Sequence, residues 1–435
     1  MKNLLKIFGI IAIVVTIGLS FTACDNGNGS NGNKTPNIAS FGGTWNASGG
    51  RSIVFSGNTF NYKVNSTTQY SGTFSVSGST ITFNESSLGT ASGKFSLSGN
   101  TLTLSNHTWD SSVNGTYTKD SGGGGNNTED IYIAGQSYND TAYHEVAAVW
   151  KNGVEQILDN TRSTANSVYV SGNDVYVAGT VDTIVSPRAT LWKNGIAQTL
   201  SNNRSLAYAV FVSGSDVYVA GYASEGGVGS LPLFRATLWK NGIAQTLTTT
   251  GSMAYSVYVS GTDVYVAGVN NDGRATLWKN GVAQTLNSSS LSYGYSVYVS
   301  GSDVYVAGAV YSDIEDYKTG RATLWKNGTA QTLSDWYSIA YSVYVSGTDV
   351  YVAGGERNDS YETLLFGTLW KNDTKQTLST IGSGAGRSVY VSGTDVYVTN
   401  EDYGRYWKNG NRENLNVSST ITSGHALSIF VVPKN

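Results

Sequence analysis

From Asp130 onward the chain repeats one phrase seven times, most cleanly between Ala254 and Leu286 as AYSVYVSGTDVYVAGVNNDGRATLWKNGVAQTL. A repeat of this length is one supersecondary unit, so the number of copies constrains the architecture more than any local motif does. Within the phrase, Ser256 to Val259 (a), Asp263 to Gly268 (b), Ala275 to Lys279 (c) and Ala283 to Leu286 (d) are rich in Val, Tyr, Thr and Trp. They are bounded by Gly, Asn and Asp, the pattern of short strands joined by turns. Asn280-Gly281 between c and d suits a two-residue type I′ turn, because both residues tolerate positive φ. No 3.6-residue apolar stripe long enough for a helix interrupts the unit. Each copy therefore reads as a four-stranded antiparallel meander.

Two landmarks count the copies. Trp-Lys-Asn begins at Trp150, Trp192, Trp239, Trp278, Trp325, Trp370 and Trp407, and the strand b aspartate recurs at Asp130, Asp174, Asp216, Asp263, Asp303, Asp349 and Asp395. Seven four-stranded units of roughly 40 to 47 residues predict an all-β, seven-bladed β-propeller over 130–435. The array starts on a strand b with no strand a before it, and it ends on a lone strand a, Ala426 to Val432. A ring closed by its C-terminal strand accounts for both ends and covers an otherwise bare sheet edge.

The start of the chain has a different character. Lys2 and Lys6 precede an apolar run from Ile7 to Leu19, followed by Phe21-Thr22-Ala23-Cys24. This stretch (1–23) resembles a bacterial lipoprotein signal, which implies cleavage before Cys24 and its lipidation. A spanning helix would need a longer apolar run. Cys24 is the chain's one cysteine, so no internal disulfide competes for it. Residues 25–40, rich in Asn, Gly and Ser, continue 24–40 as a tether reaching roughly 20 to 25 Å as a flexible coil. The expectation is a monomer in the cell envelope, held by acyl chains, with the outer membrane or cell surface favoured over the periplasmic side.

Residues 41–119 form a separate small domain of eight strand-like runs joined by tight Ser-Gly turns, and 120–129 is a Gly-rich linker. The opening Gly43-Thr44-Trp45, with Ser71-Gly72-Thr73-Phe74, Gly93-Lys94-Phe95 and Gly115-Thr116-Tyr117, resembles small lipocalin-like domains of bacterial lipoproteins. That resemblance implies a small antiparallel barrel or meander, and a barrel of this size is filled mostly by its own side chains.

With a formal net charge of −3 and 13% charged residues, the chain has no basic block of the kind that binds nucleic acid. No metal or cofactor motif is present, and His107, His144 and His425 lie far apart in sequence, so no enzyme activity is expected. Repeated Tyr and Trp read as blade core, the seven aspartates as turn-backbone acceptors, and the seven lysines as an exposed rim. The b to c and d to a loops, which share one face, vary in length and concentrate Asp, Glu and Tyr, Glu145 and Glu356 among them. Variation on one face of a constant scaffold marks the candidate ligand-binding residues: Trp336, Tyr337, Asp335, Tyr293, Tyr317, Tyr361, Tyr403 and Tyr138.

The Val-Tyr-Val-Ala-Gly strand is similar to kelch and NHL blades. Kelch repeats carry two glycines here, found only at Gly354-Gly355, and the Trp-Asp of WD40 repeats is Trp-Lys instead. The expected function is a non-catalytic binding or adhesion module that takes a glycan or protein ligand on the variable face. The alternatives are a periplasmic scaffold for envelope assembly, and a hydrolase or lyase using the face carboxylates.

Overall fold

The computed structural model describes residues 41–119 and 129–434 apart from short loop segments, among them 226–232, 314–318, 358–364, 380–383, 401–403 and 416–423. Cys24, the signal and the tether lie outside the described residues, as do His107, Tyr317, Tyr361 and Tyr403. The chain divides into two compact units, residues 1–120 and 121–435.

The first unit is an eight-stranded antiparallel meander whose first and last strands pair through Trp45↔Lys119 and Asn46↔Thr118. Alternate residues point inward, and aromatic rings occupy the interior: Phe41 lies edge-on to Phe55, Phe74 and Phe95 at 5.1 to 5.7 Å.

The second unit is a seven-bladed propeller, each blade a four-stranded sheet in the order a-b-c-d. Blade 1 takes its a strand from the far end of the chain: Gly424–Pro433 pairs antiparallel with Glu129–Asn139, with Ile429 opposite Ile133. Blades 2 to 7 begin at Ser163, Ser205, Met253, Ser292, Ser338 and Gly386. Closure by the C-terminal strand thus gives every blade four strands.

Tryptophan glues the ring. Each strand c tryptophan is at most 2% exposed and fills the interface to the preceding blade, as Trp192 does against Tyr132, Ala134 and Ala147 of blade 1. Trp150 closes the circle by packing with Tyr397 of blade 7. The small alanines at these interfaces leave room for the indole.

Strand a carries a β-bulge in each of blades 1 to 6, as between Ala254 and Ser256, and blade 7 has its own register shift between Gly386 and Val389. The facing glycine of strand b makes the bulge possible: a Cβ on Gly268 would lie 2.0 Å from the Met253 carbonyl oxygen. Beyond the bulge, one aromatic residue per blade turns toward the axis. Tyr169, Phe211, Tyr258, Tyr298, Tyr344, Tyr390 and Phe430 form a closed ring, each centroid 4.7 to 5.1 Å from the next and tilted by 48 to 52°. The bulge residues make a second tier, in which Tyr208, Tyr255, Tyr295 and Tyr341 follow one another at 5.2 to 5.4 Å and Arg387 covers the face of Tyr341 at 4.2 Å.

Serine hydroxyls tie neighbouring a strands together. The backbone N–H of Val168, Val210, Val297, Val343, Val389 and Ile429 donates to Ser428, Ser167, Ser256, Ser296, Ser342 and Ser388 at 3.1 to 3.3 Å. Six junctions carry this link. At the seventh, between blades 3 and 4, Ala209 occupies the serine position.

Candidate functional site

The two faces of the ring are built differently. On the constant face, the strand b aspartate holds the lysine and asparagine of Trp-Lys-Asn in every blade. In blade 4 Lys279 Nζ is 2.8 Å from Asp263 Oδ2 and 5.2 Å from the Tyr265 ring, while Asn280 Nδ2 donates to Asp263 Oδ1 at 2.8 Å. The turn N–H expected to find the aspartate goes to the asparagine instead: Val264 N donates to Asn280 Oδ1 at 2.8 Å. Positive φ at Asn280 (50°) and Gly281 (81°) aims that side chain back at the strand. Hydrogen bonding from Lys279 and Asn280 lowers the Asp263 carboxyl pKa. These lysines and aspartates are scaffold.

Blade 6 breaks the pattern on the variable face. The seventh residue after the strand b aspartate is Val181, Ala223 and Val310 in blades 2, 3 and 5 but Glu356 here. The middle of strand d is Ala197, Ala244, Ala283 and Ala330 in blades 2 to 5 but Lys375 here, and the arginine four residues before Trp becomes Phe366. The replacements meet across the sheet. Lys375 Nζ lies 2.9 Å from Glu356 Oε2, and Glu356 is only 6% exposed. Its other oxygen accepts the Ser334 hydroxyl at 2.6 Å. A buried carboxylate needs such partners, because an isolated charge would pay a large desolvation cost.

The loop that presents Ser334 is itself pinned. Trp336 N donates to Ser334 Oγ at 3.1 Å, and Ser338 Oγ donates to the Trp336 carbonyl at 2.8 Å. The Trp336 indole is left 52% exposed over a pocket of about 210 Å³ lined also by Glu356, Arg357, Phe366 and Lys375.

A second polar cluster sits on blade 1. His425 Nε2 is 3.3 Å from Glu145 Oε1, and Gln136 Nε2 donates to Glu145 Oε2 at 2.9 Å. His144, whose ring nitrogen contacts the Glu145 carbonyl at 3.2 Å, is adjacent. The closing strand thus brings His425 to the Glu145 carboxylate, while His144 meets the Glu145 backbone.

The structure divides the residues singled out from sequence. Trp336 lines the pocket, and Asp335 is exposed in the same loop. Tyr337 packs instead into an apolar cluster around Tyr311 and Ile339, and Tyr293 stacks on Tyr295 at 5.8 Å. Tyr138 lies opposite Glu145 in blade 1, away from the blade 6 pocket. Sequence reasoning named Glu356 and singled out the 334–338 loop, but it gave Ser334 no role and missed Lys375. Lys375 was readable as a departure from the alanine that blades 2 to 5 carry at its position, whereas Ser334 follows the repeat, as Ser201 and Ser379 do.

No family model matches this chain, and no curated protein matches it. Among solved structures it is similar to an acylaminoacyl peptidase in complex with Z-Gly-Gly-Phe-chloromethyl ketone (11% identity, TM-score 0.43, 67% of this chain and 51% of that one). It is also similar to the Pyrococcus horikoshii acylaminoacyl peptidase (10% identity, TM-score 0.40, 80% of this chain and 52% of that one). A third is the β-propeller domain of the Trilobed protease from Pyrococcus furiosus, titled as having an open velcro topology (8% identity, TM-score 0.39, 71% and 94%). The chain spans about half the length of the two acylaminoacyl peptidases. The three neighbours are two acylaminoacyl peptidases and a protease domain, so the expectation of a non-catalytic binding module that is no enzyme finds no support among them. At such identity the likeness concerns fold, so any activity has to be argued from this chain's own side chains.

Proposed function

We propose that this protein is a hydrolase of acyl bonds, ester or amide, acting at the blade 6 pocket and held in the cell envelope by a lipid on Cys24. One observation carries the catalytic reading: the Ser334 hydroxyl donates to a buried carboxylate that a lysine holds in place. A serine becomes a useful nucleophile when an adjacent base takes its proton, and a third group that orients the base completes the arrangement. In this chain Ser334 Oγ attacks the carbonyl carbon and its proton passes to Glu356 Oε1. Lys375 fixes the other oxygen of Glu356. The leaving alcohol or amine takes the proton from Glu356, and water then releases the acyl group by the same route in reverse. Trp336 lends the pocket a flat apolar surface, and Arg357 lends it a positive charge.

The test is labelling with a fluorophosphonate probe, together with the hydrolysis rate of p-nitrophenyl acetate. Ser334 carries the label in the native protein, and Ser334→Ala and Glu356→Gln each lower the rate by about 100-fold or more. An unlabelled protein with the same background rate in all three forms refutes the reading. The anchor is tested separately by metabolic labelling with an alkyne fatty acid, which Cys24→Ala abolishes.

A further inference from the structure

Of the seven aromatic residues around the axis, five are tyrosines, and four of these are consecutive. Tyr258, Tyr298, Tyr344 and Tyr390 follow one another with ring centroids 4.8 to 4.9 Å apart. Phe211 and Phe430 bound the run and isolate Tyr169 between them. The phenol of Tyr298 is flanked by those of Tyr258 and Tyr344, and that of Tyr390 by Tyr344. Tilts of 48 to 49° at this spacing keep the ring faces from stacking. The rings are half-buried, each keeping part of its surface open to solvent.

We propose that Tyr258, Tyr298, Tyr344 and Tyr390 form an oxidative cross-linking site, at which a diffusible one-electron oxidant joins neighbouring blades through dityrosine bonds. Two adjacent phenols each give one electron to the oxidant and one proton to solvent, leaving two phenoxyl radicals. Their ortho carbons combine to form one carbon–carbon bond. The hydrogen on each of those carbons moves to its own phenolic oxygen, which restores both aromatic rings. The product is two tyrosines less two hydrogen atoms, and two equivalents of oxidant are reduced. Contact between successive rings lets a first radical migrate along the run until a second forms beside it. Burial and the neighbouring phenols raise the pKa of Tyr298 and of Tyr390, so the proton leaves together with the electron and not before it. The only cysteine is Cys24, so no disulfide can join the blades.

The natural phenylalanines supply the controls, because Phe211 and Phe430 show that the ring accepts Phe at this position. The protein is irradiated with ruthenium tris-bipyridyl and persulfate at low concentration, followed by dityrosine fluorescence and peptide mass mapping. The native monomer gains dityrosine fluorescence, with linked peptides joining Tyr258 to Tyr298, Tyr298 to Tyr344 or Tyr344 to Tyr390, and none containing Tyr169. Within this ring, Tyr298→Phe leaves only the Tyr344–Tyr390 product. The double variant Tyr298→Phe/Tyr390→Phe has no adjacent pair left in the ring and loses every linked peptide that contains Tyr258 or Tyr344; peptide mapping reads this, because the tier of Tyr208, Tyr255, Tyr295 and Tyr341 is unchanged. Native protein whose linked peptides contain none of the four ring tyrosines, or whose links arise only between molecules through exposed residues such as Tyr143, overturns the proposal.

Discussion

The junction between blades 3 and 4 offers a measurement of what one interblade link contributes. Six junctions have a serine hydroxyl accepting a backbone N–H, and the seventh has Ala209. Ala209→Ser should create the missing bond to Val257 N, because the same backbone already accommodates Ser167 and Ser256 on either side. A neutral hydrogen bond contributes about 0.5 to 1.5 kcal/mol net. Donor–acceptor distances of 3.1 to 3.3 Å in the six existing links lie at the long end for N–H···O, which puts the gain nearer about 0.5 to 1 kcal/mol. Ser296→Ala, the reverse change, strips the acceptor from Val343 N–H, whose residue is 4% exposed, and should cost about 1 to 3 kcal/mol. At about 2.1 cal/mol/K per residue, a propeller of roughly 300 residues shifts its Tm by about 1.5 °C per kcal/mol. Scanning calorimetry and urea titration of both variants read these changes. The asymmetry is the diagnostic, since removal should hurt more than addition helps. If Ala209→Ser lowers stability, or Ser296→Ala is neutral, the serine ring is incidental to blade cohesion.

Two further expectations concern the seam. Deleting Gly424 to Asn435 removes Ala426, Ile429 and Val431, at 0, 4 and 1% exposure, and should lower the Tm sharply, because burying Ile429 and Val431 contributes about 1.5 to 3 kcal/mol each; an unchanged melt by circular dichroism would disprove closure by this strand. Burial works against ionisation of Asp130, but hydrogen bonds from Lys151, Asn152 and Lys434 outweigh it and lower its pKa to about 2. A depressed carboxyl stabilises above its unfolded value, here 3.8, and that contribution is lost as pH falls toward 2. The gap in urea midpoint between the native protein and Asp130→Asn should therefore narrow from pH 5 to pH 2, and a constant gap would sink the assignment.

The propeller was legible because its signals are local and repeated. Asn280-Gly281 announced its turn, the seven tryptophans counted the blades, and the unpaired ends implied closure. The aromatic ring was not legible. Strict alternation cannot put both Tyr255 and Tyr258 on the axial side; the bulge does, and its trace in sequence is only the glycine opposite, Gly268. The candidate site was half legible for a related reason. Glu356 stood out as an acid in a variable loop, whereas Lys375 lay in a strand that otherwise repeats, and Ser334 is one serine among many. Contact among strand b, strand d and the loop before strand a, which no spacing along the chain encodes, singles the three out together.

Near-identical blades also pose a problem of identity during folding. The bare edge of blade 1 pairs with strand a of the last segment, yet six other a strands have nearly the same Val-Tyr-Val core and almost the same fit. One contact marks the correct strand and another fastens the seam. Lys434, just beyond the closing strand, gives Asp130 a second cation at 2.9 Å, and Glu129 takes the hydroxyl of Tyr397 from the neighbouring blade. Lys434 thus acts as an address that favours the C-terminal strand over an internal repeat, and the Glu129–Tyr397 contact ties blade 1 to blade 7 once the ring is closed.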